Sequence, residues 1–361
     1  MTLALCMIVK NEEEVLRRCL LSVRGVFDEI VIADTGSEDA TKSIAAEFTD
    51  KVFDFPWRQD FAAARNFSFS KAGSDYLMWL DADDVLLEKD RLALLALKNS
   101  LDGSADAFYL RYDAAFDEFG NPALYFYRER IVRRDRGFRW QGAVHETLGV
   151  HGDVRRADIA ITHLRGKNKE RGRNLMIFAR LFADGTMPDE RQKFYFAREL
   201  FDNGLYETAA SAYEYFLRGD GWAQDKICAC RDLSRCYKQL NNRRKQYSAL
   251  LLSFDYAPPK SETCCELGDF FIQENDLRQA IFWYKLAVNE GNAGTEEGFV
   301  CPDYAGYIPY MWLCVCYDRL GEREKARHYN ELAGKLKPQD GNYLYNKRYF
   351  ELSTKHEGEN L

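Results

Sequence analysis

The densest group of chemically useful side chains in the sequence is a run of acids that follows a short apolar segment. Residues 77–80 are apolar, and Asp81, Asp83 and Asp84 then place three carboxylates within four positions. Such crowding of like charge is costly unless a cation neutralises it. A hard divalent ion, Mg2+ or Mn2+, prefers oxygen ligands of this kind. The run therefore predicts a divalent-cation site, with solvated acids that cap the next helix as the alternative.

A second acid stands at the end of an earlier apolar run. Residues 30–33 are Ile-Val-Ile-Ala, and Asp34 is followed by Thr35, Gly36 and Ser37. Ligands in open α/β sheets bind beyond the carboxyl ends of the strands, where Asp34 could accept hydrogen bonds from a nucleoside. The alternative is a plain turn in which Ser37 caps a helix.

The elements that must position these acids alternate between short apolar runs and amphipathic segments. Predicted strands cover residues 3–9, 29–33, 51–53, 76–80 and 107–112, and predicted helices cover residues 13–23 and 39–48. This alternation is typical of an α/β sheet with crossover helices. We therefore expect an α/β domain over residues 1–165.

The strand pattern ends near Glu190, and an approximate repeat of paired helices follows. Turns at residues 203–210, 242–246, 275–280 and 321–326 each separate helical stretches that are rich in aromatic residues, and prolines follow at Pro258, Pro259 and Pro338. The combination resembles tetratricopeptide repeats with irregular spacing. We expect an all-α helical-repeat domain over residues 190–361, joined to the first domain by a linker helix over residues 166–189.

Composition and charge argue against several other classes of protein. The formal net charge is -7, whereas a nucleic-acid-binding protein normally carries a basic excess, so we expect no nucleic-acid partner.

No apolar run reaches the roughly 18 residues that a transmembrane helix needs, and residues 1–10 are typical of a buried strand rather than a secretory signal. The ten cysteines then favour reduced thiols and a cytoplasmic protein. Closely spaced cysteines occur at Cys228/Cys230, Cys264/Cys265 and Cys314/Cys316, where helical geometry favours packing over a zinc site.

Six motifs, taken in order, resemble those of family 2 glycosyltransferases. They are Ile8-Val9-Lys10-Asn11-Glu12-Glu13, Asp34-Thr35-Gly36-Ser37, the segment from Trp57 to Asn66, Asp81-Ala82-Asp83-Asp84, the segment from Trp140 to Glu146, and Ile161-Thr162-His163-Leu164. The chain is similar to the branch with C-terminal helical repeats that includes the sublancin-type peptide S-glycosyltransferase. The resemblance covers about the first half of the chain and implies a Rossmann-like GT-A fold for that half.

The resemblance also implies a nucleotide-sugar donor, a UDP-sugar, bound together with Mn2+ or Mg2+. By that resemblance Asp83 binds the metal, and Asp81 supports the ribose or the donor sugar. The remaining residues implied for the nucleoside and ribose pocket are Val9, Asn11, Glu12, Asp34, Asp60 and Arg65. Asp84 departs from the family pattern, so it either shares the metal or caps the next helix.

A late histidine and a basic run extend the implied donor site. GT-A enzymes often recruit a late histidine to the same metal, and His163 follows an apolar run, as that role requires. A structural, hydrogen-bonded histidine is the alternative. Basic side chains crowd residues 165–173, and we assign Arg171 among them to the diphosphate, since guanidinium groups neutralise leaving-group charge. Most of such a run is ordinarily a solvated surface.

The segment that ends in His145 and Glu146 is the predicted catalytic segment. An inverting transfer needs a base opposite the leaving group, and we assign Glu146 to that role with His145 beside it. The ring of Trp140 could pack against a sugar. The alternative is that Glu146 is an ordinary surface glutamate.

The acceptor is the least constrained part of the prediction. The repeat domain could present a concave surface to a peptide or protein acceptor, or it could form a homodimer. A cell-surface polysaccharide or a lipid-linked saccharide is the rival acceptor. A non-catalytic repeat adaptor with a nucleotide-sugar-binding domain is the alternative from another class of protein.

Overall fold

The computed structural model describes residues 1–164, 172–290 and 298–358. The chain divides into two compact units, Met1–Glu199 and Leu200–Leu361. None of the described helices combines the length and the apolar character needed to cross a lipid bilayer. The predicted domain limits at residues 165 and 189 stay a prediction, because compact packing does not by itself define where a catalytic domain ends.

The first unit is an α/β structure built around a mixed sheet. Its elements are β1 (Leu3–Val9), α1 (Leu16–Ser22), β2 (Glu29–Asp34), α2 (Thr41–Ala46), β3 (Val52–Asp54), α3 (Phe61–Lys71), β4 (Tyr76–Trp79), β5 (Asp84–Val85), α4 (Glu88–Ser100), β6 (Ala107–Phe116), β7 (Pro122–Arg133), β8 (Trp140–Gln141), β9 (Thr147–Leu148), β10 (Val154–His163), α5 (Arg173–Ala183) and α6 (Glu190–Asp202). A short 3-10 turn, Arg134–Arg136, follows β7. The residues of α6 up to Glu199 belong to this unit.

The order of the strands explains why the acids meet at one edge. The large sheet runs β3-β2-β1-β4-β7-β6-β10-β5, and the first four of these strands are parallel. Val9 pairs with Asp34 in the register of β1 and β2, while β4 ends just before Asp81. Parallel strands bring their carboxyl ends to the same edge of a sheet. The predicted edge of the sheet therefore exists in the fold, and its binding of a ligand stays a prediction.

The central strands are apolar because both of their faces are covered. In β1, Leu3, Leu5 and Met7 pack into a core that includes α1, while Ala4 and Cys6 pack on the opposite face. A strand buried on both faces is expected to be continuously apolar. This pattern made β1 predictable over its full length.

Two strands that carry the acidic edge were absent from the prediction. β7 pairs antiparallel with both β4 and β6, and β10 pairs parallel with β6 and antiparallel with β5. The sequence of β7 is rich in tyrosine and arginine, and that of β10 begins with exposed charged residues. The apolar residues of β10 are confined to its last part, before His163, and β7 mixes apolar and charged residues, so neither strand shows a regular pattern over its whole length.

The second unit is helical, as predicted. Its described helices are α7 (Tyr206–Leu217), α8 (Ala223–Gln239), α9 (Arg243–Leu252), α10 (Ser261–Gln273), α11 (Leu277–Glu290), α12 (Tyr307–Arg319), α13 (Arg323–Leu336) and α14 (Gly341–Gly358). Short 3-10 turns lie at Ser253–Asp255 and Pro302–Ala305. Successive helices pack against each other as α8 with α9, α10 with α11, and α12 with α13.

The turns inside these helix pairs share one backbone feature. Asn241, Asn275 and Gly321 have positive φ angles of 54°, 58° and 77°, the left-handed conformation that ends a helix. Asparagine and glycine adopt this conformation at low cost. The recurring turn residues were the repeat signal in the sequence.

The cysteines all lie within the described ranges, and most are buried. Cys264, Cys314 and Cys316 belong to the core of the second unit. Burial, the largest contribution, raises the pKa of Cys264 to about 12. These thiols act as small packing groups, in line with the expectation.

Candidate functional site

The carboxyl ends of β1 and β2 form one hydrogen-bonded unit. The carbonyl oxygen of Val9 accepts hydrogen bonds from the backbone nitrogen and the hydroxyl of Thr35, at 2.9 and 3.1 Å. Asp34 is buried, and its Oδ1 accepts from the backbone nitrogens of Gly36 and Ser37 at 2.9 and 2.8 Å. Its Oδ2 is buried without a hydrogen-bond partner among the described residues. A buried carboxylate oxygen that lacks a donor favours a ligand that supplies one.

The turn after β1 holds the turn after β2. The backbone nitrogen of Asn11, a residue with φ of 55°, donates to Ser37 Oγ at 2.9 Å. The side-chain oxygen of Asn11 accepts from the backbone nitrogen of Glu38 at 2.8 Å, and the backbone nitrogen of Glu12 donates to Thr41 Oγ1 at 2.7 Å. Through these contacts Asn11 and Glu12 connect the turn after β1 to the turn after β2. Their contact with a nucleoside stays a prediction.

The predicted metal ligands come together although 80 positions separate them in the chain. Asp84 pairs with His163 across β5 and β10, and the backbone nitrogen of Leu164 donates to the carbonyl of Asp83 at 3.0 Å. Nδ1 of His163 lies 3.5 Å from Oδ1 of Asp83 and 3.5 Å from Oδ1 of Asp84. One ligand atom from each of the three side chains lies within 4.8 Å of the others. Two carboxylates and one imidazole at this spacing fit a divalent cation.

Asp84 has partners of its own beneath this cluster. Its Oδ2 lies 3.2 Å from Nη1 of Arg130, and its Oδ1 accepts from the hydroxyl of Tyr112 at 2.9 Å. Arg130 is buried and stacks on Trp79, with its guanidinium carbon 3.6 Å from the ring centroid. Burial and the neighbouring aspartates raise the pKa of Tyr112 above its ordinary value, so its hydroxyl stays protonated and donates. Helix α4 begins after Leu87, so Asp84 does not cap it.

Arg65 joins the predicted donor carboxylate to the predicted base. Its Nη2 donates to Oδ1 of Asp81 at 2.7 Å, and its Nε donates to Oε1 of Glu146 at 2.6 Å. The guanidinium carbon lies 4.6 and 5.0 Å from the ring centroids of Trp79 and Trp140. Burial opposes the charge of Arg65, but Asp81 and Glu146 outweigh it and raise the pKa of the guanidinium. The guanidinium of Arg65 is therefore charged and holds both carboxylates at fixed positions.

Two residues assigned to the donor have structural partners. The Trp140 ring is only 3% exposed and packs in the core beneath Arg65, so it offers little surface to a sugar. Asn66 fixes the Trp140 backbone, accepting from its nitrogen and donating to its oxygen, both at 2.9 Å. Asp60 caps α3 by accepting from the backbone nitrogen of Ala63 at 2.8 Å. Their predicted contacts with the donor stay predictions.

His145 is anchored by α6 rather than by the acidic edge. Its Nε2 lies 2.8 Å from Oε1 of Glu199, and its ring stacks on Tyr195 with centroids 4.1 Å apart. The side-chain nitrogen of Asn174 donates to the same glutamate oxygen at 2.8 Å. Although burial alone raises the pKa of Glu199, the hydrogen bonds from His145 and Asn174 lower it below its ordinary value.

Several partners of the site residues were not predicted from the sequence, and one predicted site residue lies outside the described residues. Arg171 lies outside the described residues, so its assignment to the diphosphate stays a prediction. Arg130 and Tyr112 were missed because each stands alone in a strand with no motif around it. Glu199 was missed because its helix was assigned to the repeats.

Comparison with known proteins identifies the class of the first unit. Residues 4–159 match the family model described as Glycosyl transferase family 2, so this unit carries a family 2 glycosyltransferase domain. Over 147 residues the chain is 43% identical to a TPR repeat-containing protein of Synechococcus elongatus, covering 40% of this chain and 35% of that protein. Over 148 residues it is 29% identical to the SPbeta prophage-derived glycosyltransferase SunS of Bacillus subtilis, covering 40% of this chain and 34% of that protein.

The matched part thus spans about a third of the length of these curated relatives. Among solved structures, the chain is similar to glucosyl-3-phosphoglycerate synthase from Mycobacterium tuberculosis in complex with Mn2+ and uridine-diphosphate-glucose. The TM-score is 0.36 and the identity 14%, over 52% of this chain and 80% of that one.

Proposed function

We propose that this protein is an inverting, metal-dependent glycosyltransferase that moves a hexose or an N-acetylhexosamine from a UDP-sugar to a peptide or protein side chain. The observation that carries the proposal is that these acidic side chains lie together at one edge of the sheet. Asp83, Asp84 and His163 form a cluster next to Asp81. Arg65 contacts both Asp81 and Glu146. The proposed metal ligands, donor carboxylate and base thus occupy one edge of a family 2 glycosyltransferase domain.

The side chains of the cluster fit a divalent cation. Asp83 and His163 would hold Mn2+ or Mg2+, whose charge would stabilise the departing nucleoside diphosphate. Asp84 is already paired with Arg130, so its role would be to orient the cluster and to balance the charge of the cation. Two carboxylates and an imidazole leave positions open to substrate oxygens, which suits a cation that binds together with its substrate.

The residues of the chain would divide the work on the donor. Asp34, with one buried oxygen that lacks a partner among the described residues, would accept a hydrogen bond from the nucleoside. Asp81 would contact the ribose or the donor sugar while Arg65 holds its carboxylate in place. Glu146 would accept the acceptor's proton while the acceptor attacks the sugar carbon from the face opposite the nucleoside diphosphate. The bond to the diphosphate breaks as the new bond forms, and this single displacement inverts the configuration at that carbon.

The position of Glu146 supports this role but places a demand on the reaction. Its Oε1 accepts a hydrogen bond from Nε of Arg65 at 2.6 Å, which fixes the orientation of the carboxylate. Carboxylates are weak bases, so the acceptor would be one that loses its proton only as the bond forms, or a thiol, whose free pKa is about 8.5.

The peptide or protein acceptor rests on architecture. The resemblance to the peptide S-glycosyltransferase branch and the helical pairs that follow the transferase domain support it. A homodimer through the second unit stays a prediction.

A donor screen tests the proposal without knowledge of the acceptor. The full chain is incubated with UDP-glucose, UDP-N-acetylglucosamine or GDP-mannose and with Mn2+ or Mg2+, and nucleotide release is followed by mass spectrometry. We expect slow hydrolysis of one UDP-sugar that stops when EDTA is added. If no nucleotide sugar is hydrolysed and UDP does not bind in the presence of Mn2+, the proposal is wrong.

A further inference from the structure

We infer that α6 is part of the transferase site, and that Glu199 and Tyr195 are positioning residues for the His145–Glu146 segment. The inference rests on the proposed function, because that segment carries the proposed base. The family match ends at residue 159, so it does not include this helix.

The imidazole of His145 is held both on its face and at its edge. Tyr195 stacks on the face, with an interplanar angle of 15°. Glu199 meets the edge, 2.8 Å from Nε2. Arg191 supports Tyr195 in turn, with its guanidinium carbon 4.7 Å from the ring centroid and Nη2 3.3 Å from the hydroxyl. All three supporting side chains come from one face of α6.

The charge state of Glu199 strengthens this contact. The hydrogen bonds from His145 and Asn174 lower the pKa of Glu199, so its carboxylate is ionised and can only accept. Nε2 of His145 must then carry a hydrogen. The contact therefore fixes both the orientation of the ring and the nitrogen that is protonated.

The backbone of His145 explains why such an anchor is needed. Its φ angle is 53°, in the left-handed region that non-glycine residues adopt at a cost. A conformation of this kind persists only where the surrounding structure holds it. The next residue, Glu146, is held from the other side by Arg65 of α3. Two anchors on adjacent residues therefore set the position of the proposed base, one from α3 and one from α6.

The test compares variants of the full chain in the hydrolysis of the UDP-sugar that the wild-type protein turns over fastest. Glu199→Ala and Tyr195→Ala should lower kcat at least about tenfold, since small misplacements of a catalytic group have large effects, while the KM for the donor stays within about twofold. Tyr195→Phe keeps the stacked ring, and Glu199→Gln keeps an oxygen that can accept from Nε2, so both should recover most of the lost kcat. In 15N NMR spectra, His145 should carry its hydrogen on Nε2 in the wild-type protein and lose this preference in Glu199→Ala.

A matched control separates positioning from stability. Glu266 accepts hydrogen bonds from Arg231 and Arg235 at 3.0 and 2.7 Å within the second unit, so Glu266→Ala also removes a largely buried carboxylate. It should lower the melting temperature without lowering kcat. An equal loss of kcat in this control, or full kcat in Glu199→Ala and Tyr195→Ala, would overturn the inference and leave the proposed function standing. A wild-type protein without turnover or UDP binding would overturn both.

Discussion

Arg65 and Glu146 form an ion pair of 2.6 Å between α3 and the segment that follows β8. The same guanidinium reaches Asp81 at 2.7 Å. One buried cation thus fixes the spacing of the carboxylate assigned to the donor and the carboxylate assigned as the base.

Asp83→Ala should remove metal-dependent turnover and leave the protein folded. The side chain is a proposed ligand of the cation and is only partly buried, so its loss affects the donor more than the core. We expect hydrolysis of the UDP-sugar to fall at least about a hundredfold, since a bound metal contributes several kcal/mol to charge stabilisation. Nucleotide release and circular dichroism measure the two effects. Full activity in this variant would remove the metal assignment.

Asp84→Ala should lower the free energy of unfolding. It leaves the buried guanidinium of Arg130 without its carboxylate, and breaking one partner of a buried ion pair costs about 3 to 5 kcal/mol. Urea unfolding should show a loss of this size, against little change in Asp83→Ala. If both variants unfold at the wild-type midpoint, the Asp84–Arg130 pair is not the structural element described above.

Glu146→Gln should spare binding of the UDP-sugar and slow transfer. The amide keeps the shape of the side chain but cannot take a proton, and general-base catalysis contributes about 10²- to 10⁴-fold. Calorimetry with UDP and Mn2+ should give near wild-type affinity, while nucleotide release slows. An unchanged rate would rule Glu146 out as the base.

Glu199 should make the stability of the first unit sensitive to acid. Its pKa in the folded protein is lowered, so it contributes stability above the unfolded-state carboxyl pKa of about 4.3, and this contribution is lost as the pH falls through the lower folded value. The free energy of unfolding of wild-type protein should exceed that of Glu199→Gln at pH 6. The difference should shrink below pH 4.5, and a constant difference would contradict the assignment.

Gly268→Ala should loosen the packing of α10 against α11. A methyl group at this position would lie 2.6 Å from the ring of Tyr284, whose hydroxyl donates to Asp269 at 2.6 Å and keeps the ring from swinging away. Overpacking of this kind costs about 1 to 3 kcal/mol. Thermal unfolding should show the loss, whereas UDP-sugar hydrolysis at 20 °C should not change. Ser70→Ala, on an exposed site of α3, serves as the neutral control.

The parallel strands were predictable because burial on two faces leaves a continuous apolar signal. Residues 3–9 coincide with β1, and Asp34 and Asp81 were located at strand ends by the same logic. The cluster of Asp83 with His163 was expected from the resemblance, but its geometry depends on β10, whose apolar residues occupy only the part just before His163.

The side chains that hold the proposed site residues in place could not be predicted in the same way. Arg130 and Glu199 act through pairings across 46 and 54 positions, and no local spacing records such pairings. The ring of Trp140 packs against Phe69 and Trp79, and Asn66 holds its backbone on α3, while its contact with a sugar stays a prediction. A single aromatic residue in a motif does not tell whether its ring faces the core or the ligand.

The pairing of Asp84 with Arg130 has a practical consequence for handling the protein. Part of the negative charge at the sheet edge is neutralised by a side chain of the polypeptide itself, so the fold should not depend on the proposed ion. A chelated sample should therefore remain intact, and different ions can be titrated into it one at a time to rank their preference.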